Sequence, residues 1–172
     1  MSSQSTDQHR EIASGKGPVR VAIITVSDTR TRANDGGGDL IEDRVLKGGN
    51  TVVFREIVKD EPEQIAALLD KMVGETNAQV MLFTGGTGIA PRDTTYDVIS
   101  RKLEKTMPGF GELFRMLSFA EVGPAAMLSR AVAGTYRGRL VFSMPGSPNA
   151  VQVAMDKLIG PELQHLAWEV VR

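Results

Sequence analysis

Val80-Met81-Leu82-Phe83 runs straight into Thr84-Gly85-Gly86-Thr87-Gly88-Ile89-Ala90-Pro91-Arg92-Asp93-Thr94-Thr95-Tyr96-Asp97. The apolar run reads as a buried strand. The glycines at its end read as a turn whose backbone can approach a ligand without interference from Cβ atoms. Three glycines within four residues leave amide N–H groups free to face phosphate oxygens. Asp93, next to Arg92, adds a second requirement. A carboxylate at the rim of a phosphate site repels a bare phosphate, whereas a divalent cation between the two makes the arrangement favourable. From the glycines alone, a Gly-rich turn with an exposed Arg-Asp pair is an equal alternative.

Upstream, Val19 to Val26 is rich in β-branched residues, as a buried parallel strand requires, and Ser27-Asp28-Thr29 is turn chemistry. After Gly36-Gly37-Gly38 a helical pattern runs from Asp39 to Lys47 and closes at Gly48-Gly49; a strand follows from Thr51 to Val58. Glu61-Pro62-Glu63 opens a helix whose Ile65, Leu68, Leu69 and Met72 recur at helical spacing and which Gly74 ends, before a third strand, Gln79 to Thr84. This βαβαβ order predicts right-handed crossovers and a three-layer α/β/α domain with a mostly parallel central sheet. Downstream, Tyr96 to Leu103 and Gly111 to Ala120 read as helices, the latter with a stripe of Phe110, Leu113, Phe114 and Leu117 expected to face the core. Val132 to Tyr136, the turn Arg137-Gly138, and Arg139 to Met144 read as a hairpin. In Pro145-Gly146-Ser147-Pro148 the serine is placed to cap a helix and Pro148 to open it, either as ordinary capping or as a second anion site.

Parallel strands bring their C-terminal ends to one edge, where open α/β sheets bind ligands. Ser27-Asp28, Asp60-Glu61, Thr84 to Gly88 and Pro145 to Ser147 all follow strands and should converge there. Together they offer hydroxyl and amide donors for phosphates, with Asp28, Asp60 and Asp93 available to a cation. Asp28 is equally placed to bond its own turn, and Asp60 to favour a helix N-terminus.

Composition bounds the function. The chain has 172 residues, 41% apolar and 24% charged, enough for one domain with a substantial core. A net charge of −1 argues against a nucleic-acid binder that relies on diffuse electrostatics. No stretch is long and apolar enough to span a bilayer or form a signal-peptide core, so a cytoplasmic, non-membrane protein is expected. The absence of cysteine excludes disulfides, thiolate catalysis and Cys-bound metals, and the two histidines, His9 and His165, are far apart and read as solvated or structural. Carboxylates remain as hard-metal ligands. Met1 to Gly17 is polar and aperiodic and reads as a mobile tail, with residues 18–172 forming the domain.

The Gly-rich run resembles the signature of the MoaB/Mog family of molybdenum-cofactor biosynthesis proteins, a molybdopterin-binding fold that recurs in gephyrin-type proteins and molybdopterin molybdotransferases. Further segments match in the same order: Thr25 to Thr29; Val58 to Glu61; Pro108 to Glu112 with Leu128-Ser129-Arg130; and Met144 to Ala150. The match extends from about Val19 to the C-terminus, and the stretches Phe110 to Phe119 and Ser129 to Gly134 are more similar to the MoaB branch than to the Mog branch. The resemblance implies a molybdopterin adenylyltransferase, a nucleotidyltransferase that uses ATP and Mg²⁺ and releases pyrophosphate. It implies that Asp60 and Asp93 are catalytic and hold the metal. By the same resemblance Gly85, Gly86, Thr87 and Gly88 would cradle phosphates, and Ser27, Asp28, Pro145, Gly146 and Ser147 would line the pocket. Ser129 and Arg130 would supply a donor and a positive charge to an anionic substrate.

In one respect this chain departs from the family. Gly37-Gly38 stands where a Ser-Gly pair is common, so a hydroxyl is lost and a more flexible loop is expected. Because members of this branch differ in activity, two other readings stay open, a catalytically silent molybdopterin carrier and an oligomeric scaffold. A Rossmann dehydrogenase is disfavoured because no G-x-G-x-x-G follows the first strand, and a P-loop NTPase because no Gly-Lys-Ser/Thr follows the glycines. The resemblance also implies a homo-oligomer, a trimer or a hexamer of two trimers, and contact with other molybdenum cofactor biosynthesis proteins. The apolar character of Phe110 to Ala120 and Val122 to Leu128 independently predicts a subunit contact there, unless all of it packs into one core.

Overall fold

The computed structural model describes residues 10–13 and 15–171. Its elements are β1 (Arg20–Val26), α1 (Gly36–Lys47), β2 (Thr51–Val58), α2 (Pro62–Glu75), β3 (Val80–Thr84), α3 (Thr95–Lys102), β4 (Lys105–Thr106), α4 (Pro108–Val122), β5 (Val132–Tyr136), β6 (Arg139–Met144), α5 (Pro148–Val153) and α6 (Gly160–Val171). A 3₁₀ segment, Gly123–Leu128, follows α4, and a π-helical turn, Ala154–Ile159, joins α5 to α6.

The strands form one sheet in the order β2-β1-β3-β6-β5-β4. Pairings β1 with β2, β1 with β3 and β3 with β6 are parallel, while β5 runs antiparallel to both β6 and β4. Strand alternation divides the core between two faces. Val21, Ile23, Val80, Leu82, Leu140 and Phe142 pack with α1, α4 and the C-terminal helices; Ala22, Ile24, Met81, Phe83 and Val141 pack with α2 and α3. The expected three-layer α/β/α architecture is the one observed. The chain winds from β1 outward to β2 and returns to β3, so the sheet's switch point lies between the C-terminal ends of β1 and β3.

Several local expectations are corrected. Helix α1 starts at Gly36, not Asp39, because Asp35 caps it by accepting from Gly38 N; Gly37 and Gly38 are buried in its first turn and do not form a flexible loop. Gly74 does not end α2, since Thr76 caps it, its N–H and hydroxyl both bonding Met72 O. Helix α4 begins at Pro108, and in its stripe Phe110 and Phe114 are buried while Leu113 is exposed. The hairpin turns at Arg137 and Gly138, with φ of 45° and 70°, the positive values a two-residue turn needs.

The expected tail falls outside the described residues as far as His9 and again at Ser14. Residues 10–13 are helical, Ala13 is buried and Arg10 pairs with Glu162, so packing extends upstream of Pro18. His165 lies between Glu162 and Glu169, at 2.9 and 3.5 Å, a structural setting.

Candidate functional site

The ends of β1, β3 and β6 enclose a cleft of about 370 Å³ at the switch point. Thr25, Val26, Ser27, Arg30, Asp35, Gly37, Thr84, Gly85, Gly86, Gly146, Ser147 and Pro148 line it. The glycine turn forms part of this wall because only glycine fits. Gly85 and Gly86 have φ of 102° and 62°, and a Cβ on Gly85 would overlap Val26 O. The turn is tied to β6 by Gly85 N to Met144 O at 3.0 Å and by Thr84 Oγ1 to Pro145 O at 3.3 Å. Ser147 caps α5, its Oγ accepting from Ala150 N at 3.3 Å. Ser27 accepts from the backbone N–H groups of Thr29 and Arg30.

The two expected catalytic carboxylates, Asp60 after β2 and Asp93 in the loop after β3, each pack against a glycine of the Gly-rich loop. Asp60, buried at the end of β2, packs against Gly86, where a Cβ would overlap its Oδ2 and the Thr95 hydroxyl. Its Oδ1 accepts from Thr94 N at 3.0 Å and Thr94 Oγ1 at 2.6 Å. Asp93 packs against Gly88, whose Cβ would lie 2.6 Å from Asp93 Oδ2, and it accepts from Ala90 N at 3.2 Å. Asp28 accepts from Asp60 N at 3.2 Å and holds Arg92 Nε at 2.9 Å; Arg92 also bridges to Glu61 at 2.8 Å. The Arg92 hydrogen bond draws the Asp28 carboxyl below its ordinary value, with Asp60 N–H and nearby cations adding to the effect and partial burial opposing it.

The structure therefore brings Ser27, Gly85, Gly86, Gly146 and Ser147 together in the cleft. It sets Asp28, Asp60 and Asp93 around the adjoining loop, with Thr87 buried and Gly88 against Asp93. Pro145 contributes its carbonyl to the cleft's support. Neither Ser129 nor Arg130 lines the cleft. The Ser129 carbonyl accepts from Arg115, and the Arg130 guanidinium is bonded within the protein to the Gly-rich loop.

Arg30 and Asp35 are cleft residues that the sequence reading did not select. Asp35 is fully buried, accepts from Thr25 Oγ1 and Arg55 Nη2, each at 2.9 Å, and caps α1. The available signal was an Asp immediately before a helix, hidden because that helix opens on three glycines. The packing here requires glycine at Gly38 but not at Gly37, the position that departs from the family, and nothing in the structure explains that departure. A Cβ at Gly38 would overlap Asp35 Oδ2 and lie 2.7 Å from Arg55 Nη2, whereas one at Gly37 would point toward Gly146 O and Thr84 Oγ1 with ordinary contacts.

Among the described residues no group of three or more His, Cys, Asp or Glu side chains could hold a metal alone. Asp60 follows β2 and Asp93 lies in the loop after β3, and Thr94, which donates to Asp60, is the residue next to Asp93.

Fold and cleft define a doubly wound α/β domain with a cleft at its switch point. The family model described as "Probable molybdopterin binding domain" matches residues 22–165. The molybdenum cofactor biosynthesis protein B of Halalkalibacterium halodurans is 48% identical over 169 residues, covering 98% of each chain. A crystal structure of a molybdenum cofactor biosynthesis protein B superposes with a TM-score of 0.87 at 47% identity, covering 90% of this chain and 97% of the other. The tungsten cofactor synthesizing protein MoaB of Pyrococcus furiosus gives 0.82 at 35% identity, covering 90% and 98%. The chain belongs to the MoaB/Mog family of molybdenum cofactor biosynthesis proteins.

Proposed function

We propose that this protein adenylylates molybdopterin with ATP in the presence of Mg²⁺. The observation that carries this reading is the placement of Asp60 against Gly86 and Asp93 against Gly88, on the loop whose glycine turn forms one wall of the switch-point cleft. In the reaction a molybdopterin phosphate oxygen attacks the α-phosphorus of ATP; the bond from that phosphorus to the bridging oxygen breaks, and pyrophosphate leaves with the electron pair. Little covalent chemistry falls to the protein, so holding two polyanions in line is its main task. The loop amides and the cleft hydroxyls bind phosphate oxygens. Asp60 and Asp93 would hold Mg²⁺, which when bound supplies neutralisation of the phosphate charge.

Incubation with molybdopterin and α-labelled ATP should produce a labelled adenylyl-molybdopterin of the expected mass. A carrier role without chemistry is the second reading. It is favoured by the two hydrogen bonds from Thr94 to Asp60, which give that carboxylate a structural duty as well. Binding of molybdopterin with no labelled product would select the carrier.

We further propose that the chain self-associates as a trimer or a hexamer of two trimers. Leu113, Met116, Phe119 and Val122 of α4 are exposed, as are Met127 and Leu128 after it, a contiguous apolar stretch of chain of the kind that marks an interface. No helix among the described residues is long and apolar enough to cross a membrane, in keeping with a proposed cytoplasmic site of action.

A further inference from the structure

We infer that Arg130 is a positioning residue that sets the orientation of the peptide groups serving the candidate site and, through one of them, of Asp60. For its functional consequence this rests on the reaction proposed above. Arg130 precedes β5, and its guanidinium reaches the segment from Thr87 to Asp97 through several donors. Nε donates to Thr87 O at 3.1 Å, and Nη2 to Gly88 O at 2.6 Å and Asp93 O at 3.1 Å. Nη1 lies 3.2 and 3.1 Å from the two Asp97 carboxylate oxygens, and the guanidinium carbon sits 4.8 Å from the centre of the Tyr96 ring. One side chain thus grips both ends of the loop between Gly88 and Asp93.

The consequence follows from peptide planarity. In a trans peptide the C=O of one residue and the N–H of the next point in opposite directions. Fixing the Thr87 and Gly88 carbonyls on Arg130 therefore directs the N–H groups of Gly88 and Ile89 away from it, and determines which side of the loop offers amide donors to an anion. Fixing the Asp93 carbonyl directs the Thr94 N–H the other way, where it bonds Asp60 Oδ1 at 3.0 Å. A single peptide group thus connects Arg130 to Asp60. A lysine cannot reproduce this, because its ammonium is a point charge without the planar fork that reaches several acceptors at once. With Asp97 pairing the charge and the loop carbonyls taking the donors, the guanidinium acts on the loop and not on the substrate.

The test compares Arg130→Lys and Arg130→Gln with the wild type by amide hydrogen exchange of the ligand-free protein and by steady-state turnover with molybdopterin and MgATP. Both variants should accelerate exchange by about tenfold or more at the amides of Ala90 and of residues 93–95, with β3 and β6 amides unchanged, as expected for local opening. Both should lower kcat by about tenfold or more at saturating substrate while leaving KM close to wild type, the pattern of misplaced groups as opposed to a lost substrate contact. Unchanged exchange in this segment would overturn the inference. So would a lysine variant that restores turnover while glutamine does not, since charge alone would then suffice. If Arg130→Gln does not fold, Arg130→Lys carries the same two outcomes. Absence of wild-type turnover would defeat the adenylylation reading and leave the exchange result to decide the positioning.

Discussion

At the scale of single residues, Asp60 and Asp93 carry the chemical proposal and are open to separation of function from stability. Asn at either position keeps a side-chain oxygen able to accept from Thr94 or Ala90, so stability should change by no more than about 1 kcal/mol. Turnover should fall on the order of 10²-fold or more, since each substitution removes charge needed to hold a cation between two polyanions. Wild-type turnover in a folded Asp93→Asn protein would end the metal-ligand assignment. Gly86 behaves differently. Its φ of 62° disfavours any side chain by about 1–2 kcal/mol, and even the Cβ of Gly86→Ala would overlap Asp60 and Thr95, so that variant should lose both stability and ligand binding. Thermal melting alongside titration calorimetry with MgATP reads both effects, and an unchanged melting temperature would contradict the close packing.

The Asp28 to Arg92 bond predicts a pH effect with a definite sign. The folded Asp28 carboxyl lies below its ordinary 3.8, so its contribution to stability is complete above that pH and is lost as pH falls through the lowered folded value. Arg92→Gln should return Asp28 to the ordinary carboxylate range in an NMR titration. An unmoved Asp28 would mean that Asp60 N–H, not Arg92, sets its acidity.

Among the elements, the start of α1 carries the largest stability claim. Burial works against the Arg55 charge, yet its bonds to Asp35, Asp39 and Glu42 outweigh burial and hold the guanidinium above its ordinary value. Asp35→Ala removes the cap and the most buried of these partners, and should cost about 2–4 kcal/mol in denaturant unfolding. A loss below about 1 kcal/mol would show that Asp39 and Glu42 suffice. This element also shows where sequence reading fails. β1 and β3 were legible as buried apolar runs, β2 as a β-branched run even at the sheet's half-exposed edge, and the β5–β6 hairpin by its two-residue turn. Three consecutive glycines read as a break because nothing local reveals Asp35 and Arg55 closing over them. β4 left no mark either. It is two exposed residues placed by pairing with β5, where Gly134 lets the strands approach because a Cβ there would overlap Lys105 O. The contacts of Arg130 were not legible, because they are made to a loop more than thirty residues away.

Across the whole molecule, the unburied apolar face of α4 predicts assembly. Met116 and Phe119 are 61% and 59% exposed, so the alternative in which this helix is consumed by its own core does not hold. Replacing both by glutamate should shift light scattering at micromolar concentration from an oligomer to a monomer with the fold retained, since a charge buried at an apolar contact is strongly disfavoured. A wild-type monomer would refute the assembly proposal. The proposed adenylylation is read out directly by pyrophosphate release from ATP. Release should require molybdopterin and Mg²⁺ together and disappear in Asp60→Asn and Asp93→Asn. Molybdopterin binding by the wild-type protein with no pyrophosphate above the protein-free control would contradict it.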